Sequence, residues 1–138
     1  MKTTATSTPV SILIVDDEES IRTYVDRVLS KAGYHTTLAV DGSAAIAVAG
    51  GGGRFDLLLT DVMMPEMTGA ELARRLRQDR PHLKVLYLTG YADQLFTEKV
   101  TLWEDEAFLE KPCSAAALME AVSLAITGSI GEGTRRIG

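Results

Sequence analysis

Three stretches of the chain are apolar almost without a break: VSILIV at residues 10–15, FDLLLT at 55–60 and LKVLYLT at 83–89. A strand with one wet face alternates apolar and polar residues. Uninterrupted runs therefore predict strands covered on both faces. Between them the pattern changes period. From Ser20, apolar residues recur at Ile21, Tyr24/Val25, Val28/Leu29 and Ala32, which is helical spacing, and Gly33 supplies a left-handed cap. YHTTLA (34–39) alternates weakly and suits an outer strand; Asp41-Gly42 is a turn, and SAAIAVA (43–49) is a short helix. A helix over 70–78 turns Leu72 and Leu76 inward, and Arg80-Pro81 ends it. Another helix is expected over 93–102, then a fifth strand in AFLE (107–110). A last helix is capped by Ser114, with Leu118, Val122 and Ile126 on its inner side.

Strands that alternate with helices in this way predict an α/β fold with a parallel sheet, helices on both faces and right-handed crossovers. The length of 138 residues suits one domain, with 46 % hydrophobic and 24 % charged residues to build a core and a surface. Residues 1–9 are expected to be a loose lead-in, 10–127 the domain and 128–138 a frayed, glycine-rich tail. The run Gly50 to Gly53 follows a helix and precedes a strand, the wrong order for a phosphate loop. It is read as a flexible connector. The net charge of −5 argues against direct nucleic-acid binding, and Arg74, Arg75 and Arg77 read as a solvated helix face. A single cysteine, Cys113, excludes an internal disulfide. With no signal peptide and no membrane-length apolar run, the expected location is the cytoplasm, with no membrane partner.

Ligands of open parallel sheets bind beyond the carboxyl ends of the strands. At those ends the sequence places Asp16-Asp17, Asp61, Thr89 and Glu110-Lys111-Pro112. Taken singly, each has an ordinary reading: a helix cap, a turn former, a β-branched strand residue, a surface charge. Together, three carboxylates on one rim repel one another unless a cation or protons intervene. Oxygen donors without His or Cys suit Mg²⁺. A carboxylate facing such a metal, with a lysine and a hydroxyl nearby, is arranged to accept a phosphoryl group.

The blocks ILIVDDEESIR, LLLTDVMMPEMTG, VLYLTGYAD and FLEKP resemble, in order and spacing, the receiver domains of two-component response regulators, the chemotaxis receiver among them. The resemblance spans residues 11–126 and implies a flavodoxin-like (βα)5 three-layer sandwich with strand order 2-1-3-4-5. It implies Asp61 as phosphoacceptor, and Asp16, Asp17, Asp61 and the main-chain carbonyl of Met63 as ligands of Mg²⁺. It further implies Thr89 as the switch hydroxyl, Phe108 as the switch aromatic and Lys111 as the phosphate-binding lysine, aimed by a cis Lys111-Pro112 bond. Met63 and Tyr91 would flank the phosphoryl group. The implied donor is a histidine kinase or histidine phosphotransfer protein. The implied readout is a protein partner on the face formed by the 93–102 helix, the fifth strand and the last helix, in a monomer or a weak phosphorylation-dependent dimer. The domain would catalyse only its own phosphorylation and slow dephosphorylation.

Some positions depart from the family's usual pattern. Phe108 stands where Tyr is frequent, Gly90 where Ala is, and Cys113 where Phe is; LWEDEAF replaces the usual Gly-Ala turn before the fifth strand. Trp103 is read as a core plug, with an exposed anchor for a partner as the alternative, and Cys113 as a small buried apolar residue rather than a reactive thiol. Two other classes fit poorly. A haloacid-dehalogenase-type phosphatase needs a second Asp two residues after its nucleophile, where this chain has Met63. A flavodoxin needs a hydroxyl- and glycine-rich phosphate loop, and DDEES would repel phosphate.

Overall fold

The computed structural model describes residues 9–90, 106–111 and 113–127. Its elements are β1 (Ser11–Val15), α1 (Glu19–Lys31), β2 (His35–Ala39), α2 (Gly42–Gly50), β3 (Leu57–Asp61), α3 (Gly69–Arg77), β4 (Lys84–Thr89), β5 (Glu106–Glu110) and α4 (Ala115–Thr127). All strand pairs are parallel, in the order β2-β1-β3-β4-β5. The expected helix at 93–102, Trp103 and both termini lie outside the described residues.

Every residue of β1 and β3 is buried, as uninterrupted apolar runs require. The two faces divide by parity. Ile12, Ile14, Leu57, Leu59, Leu86 and Leu88 pack with Val25 and Leu29 of α1 and Leu118 and Val122 of α4. Leu13, Val15, Leu58, Val85 and Tyr87 pack with Ala45 and Ala49 of α2 and Leu72 and Leu76 of α3. Each fully buried Leu or Ile contributes about 1.5–3 kcal/mol of transfer free energy. The inner side of α4 is Leu118, Ala121, Val122 and Ala125, while Ile126 is only half-buried.

Local chemistry explains the ends. Tyr34 N–H donates to Leu29 O and Gly33 N–H to Ser30 O, with Gly33 at φ 100°, a left-handed termination of α1. Asp41 caps α2 by accepting from Ala44 N–H at 2.8 Å, Thr68 caps α3 from Glu71 N–H at 3.1 Å, and Ser114 caps α4 from Ala117 N–H at 3.0 Å.

Two sequence readings are revised. The glycine run is not a free connector: Arg80 Nη2 donates to Ala49 O at 2.9 Å and to Gly53 O at 2.6 Å, gripping both ends of the turn. Gly52, at φ 94°, is the residue that needs to be glycine. Nor are all three α3 arginines solvated. Arg77 turns back and donates from Nε and Nη2 to Leu83 O at 3.0 and 2.8 Å, closing the α3–β4 connection.

Candidate functional site

β3 is the central strand, and Asp61 is its last residue, in register with Leu88 of β4. Asp61 is 5 % exposed and does not cap the helix that follows, because Thr68 does. The intervening loop folds back tightly. Gly69 N–H donates to Val62 O at 2.8 Å, Met67 N–H to Pro65 O at 2.8 Å, and Glu66 takes a left-handed φ of 73°. The Thr60 hydroxyl donates to Asp61 O at 3.0 Å, so the last peptide of the strand is held from inside the core. These contacts fix the backbone that presents the Asp61 carboxylate.

The neighbouring strand β1 ends at Val15, and the chain then turns through Asp16 and Asp17. Asp16 is fully buried. One of its oxygens accepts from Glu18 N–H at 2.9 Å and the other from Lys111 Nζ at 3.2 Å, while its main-chain carbonyl accepts from Arg22 Nη1 at 2.7 Å. Asp17 is exposed. One carboxylate oxygen each from Asp16, Asp17 and Asp61 lies within 4.8 Å of the others.

Lys111 follows β5, and its amide donates to Thr89 O at 2.7 Å, extending the β4–β5 ladder by one bond. Its ammonium reaches Asp16 at 3.2 Å and Asp61 at 3.5 Å. Burial alone would depress its pKa. The charges of Asp16 and Asp61, and hydrogen bonds to them, outweigh that effect and hold the lysine above its ordinary value. It therefore stays an ammonium. Three carboxylates against one ammonium leave the rim with an excess of negative charge. The donors are hard oxygens at close spacing, and Asp17 faces solvent, which gives an entry path. The residues present fit a small, hard metal ion.

Thr89 ends β4 and is 2 % exposed. Phe108, in register with Tyr87, is half-buried, and the two rings lie 5.3 Å apart at 36°. Met63, two residues after Asp61, is 37 % exposed. Tyr91 and Pro112 lie outside the described residues, and the expected cis bond with them. Cys113 is half-buried rather than a core residue. Its carbonyl accepts from the phenol of Tyr24 at 3.0 Å, tying α1 to the segment after Lys111.

The sequence reading found the carboxylates, Thr89 and Lys111 but missed Arg22, Tyr24 and Tyr87. A faint signal existed for Arg22. A cation near the positive end of a helix is electrostatically disfavoured, so an arginine there asks for a specific acceptor.

Comparison with known proteins gives a concordant result. Residues 12–123 match the response regulator receiver domain family. The response regulator receiver protein CpdR of Brucella abortus is 39 % identical over 101 residues, covering 73 % of this chain and 83 % of that protein. The sensor kinase CckA of the same organism is 34 % identical over 122 residues, covering 88 % of this chain but only 13 % of the kinase. A response regulator receiver protein of Sinorhizobium medicae superposes with a TM-score of 0.75 at 29 % identity, over 86 % of this chain and 95 % of that one. No helix among the described residues is long and apolar enough to cross a membrane. With its five parallel strands in the order 2-1-3-4-5 and its acidic rim, this chain belongs to the response regulator receiver domain family.

Proposed function

We propose that this receiver domain accepts a phosphoryl group on Asp61 from the phosphohistidine of a sensor kinase or phosphotransfer protein. The observation that carries the reading is the meeting of Asp16, Asp17, Asp61 and Lys111 at the tip of the central strand. A carboxylate oxygen of Asp61 attacks phosphorus, the P–N bond of the donor breaks, and the imidazole nitrogen takes the electron pair. Mg²⁺ held by Asp16, Asp17, Asp61 and the main-chain oxygen of Met63 would screen the charge on the phosphoryl oxygens. Lys111, already an ammonium between Asp16 and Asp61, is placed to exchange its Asp61 contact for a phosphoryl oxygen. The Thr89 hydroxyl binds another.

Thr89 and Phe108 then pass the change outward. The Lys111 amide on Thr89 O ties the end of β4 to the end of β5, the strand that carries Phe108. As Thr89 moves toward the phosphoryl group, Phe108 turns into the space it leaves. The face that carries β5 and α4 thereby changes for a protein partner. No other substrate is turned over. The partner proteins, the lone Cys113 and the phosphohistidine donor all suit the cytoplasm. The domain acts as a monomer or a weak dimer formed on phosphorylation.

The test is intact mass after incubation with acetyl phosphate and Mg²⁺. One added phosphoryl group is expected, and it should vanish in Asp61→Asn and in the presence of chelator. An undiminished signal in Asp61→Asn would overturn the assignment.

A further inference from the structure

Asp17 is exposed, and among the described residues its carboxylate makes no hydrogen bond or ion pair of its own. Where it stands is set by the peptide that precedes it. Its carbonyl, the main-chain oxygen of Asp16, accepts directly from Arg22 Nη1 at 2.7 Å in part-buried surroundings. The Asp16 amide on the strand side is held only at 3.4 Å, by Ala39 O. The Asp16 carboxylate accepts from Lys111 and from Glu18 N–H, and the latter closes a turn that runs through the Asp16–Asp17 peptide from its other side.

We infer that Arg22 is a positioning residue for the cation site: its bond to the Asp16 carbonyl, acting with the turn closed by Glu18 N–H, sets the Asp16–Asp17 peptide and so aims the Asp17 carboxylate at Asp61. This rests on the proposal above that these carboxylates hold Mg²⁺. Arg22 donates only and cannot itself be a ligand. Its effect runs through Asp17.

A second effect of the same side chain has the opposite sign, and that makes the inference testable. A guanidinium beside a cation site repels the cation, so an Arg22 acting through charge alone would weaken Mg²⁺ binding, and its removal would tighten it. Positioning predicts the reverse. Loss of groups that orient metal ligands costs about 10–100-fold in affinity.

The experiment is calorimetric titration of Mg²⁺ into the full chain as wild type, Arg22→Met, Arg22→Lys and Asp17→Asn, with melting temperatures recorded without metal. Arg22→Met is expected to bind Mg²⁺ about tenfold more weakly or worse. Arg22→Lys, which keeps the charge and one donor, should recover part of the loss. Unchanged or tighter binding by Arg22→Met, with Asp17→Asn impaired, overturns the positioning role and leaves the cation site standing. So does a lowered melting temperature in Arg22→Met with an unchanged dissociation constant, which marks a merely structural role. Wild-type binding by Asp17→Asn overturns the cation assignment itself, and the role of Arg22 with it.

Discussion

Gly69 packs against the main-chain carbonyl of Asp61 so closely that a Cβ at Gly69 would overlap the oxygen and meet Thr60 Cγ2 at 3.0 Å. The obstacle is backbone of the central strand, which cannot swing aside as a flexible side chain would. Gly69→Ala should therefore destabilise the fold by about 1–3 kcal/mol, the usual cost of overpacking a tight site. Urea unfolding followed by circular dichroism measures it. A loss under about 0.5 kcal/mol would mean that the loop over residues 62–68 gives way and does not fix Asp61.

The crowded carboxylates carry a repulsion that a bound cation relieves. The melting temperature should rise with millimolar Mg²⁺, because the ion binds the folded state and not the unfolded one. A concentration one hundred times the dissociation constant adds about 2.7 kcal/mol. Asp17→Asn should respond much less. Equal shifts in the two proteins would place the ion elsewhere.

If Asp61 is phosphorylated as proposed, Met63 should bear on how long the phosphoryl group survives. An aspartyl phosphate is lost when water attacks phosphorus in line, and Met63 has no side-chain group that orients water as a carboxylate or amide can. Met63 is 37 % exposed, two residues after Asp61. Met63→Asn should shorten the phosphorylated lifetime roughly tenfold, equivalent to about 1.4 kcal/mol in the barrier. Decay of the intact-mass signal after donor removal reads this directly, with Tyr91→Glu as a companion. Equal lifetimes in all three proteins would remove both side chains from control of the rate.

Cys113 should be a slow thiol. Burial pushes it above the ordinary 9.0, and the Lys111 charge opposes this only in part. The folded thiol then stays protonated where the unfolded one ionises. Any contribution to stability is full below about pH 9 and is lost as the pH rises through the folded value. Alkylation by iodoacetamide at pH 8 should be slower in the native protein than in urea. A native rate equal to the unfolded rate would show an accessible, unshifted thiol.

The sheet and the rim were legible in the sequence because both follow from simple periodicities. Continuous apolar runs fix buried strands, and their last residues fix what reaches the rim. The strand ends were less legible. Phe55–Thr60 slid to Leu57–Asp61 because the register with β1, Ile12 opposite Leu57, decides where pairing begins. Arg22, Arg77 and Arg80 were hidden for a common reason. Each donates to main-chain carbonyls, and a carbonyl acceptor leaves no mark in residue identity. The packing of Tyr87 on Phe108 depends on register between two strands, which no single segment encodes.

The place of Asp61 at the end of the central strand has a mechanical meaning. β3 is laced to β1 on one side and β4 on the other, and both of its faces are covered. Such a strand opens only when the whole domain unfolds, and its amides should be among the slowest to exchange with solvent. New charge at its tip therefore meets an anvil: the sheet cannot recoil. On the proposed reading, displacement would be forced into the loops that meet the carboxylate, and the signal would leave the site sideways, through the ends of β4 and β5.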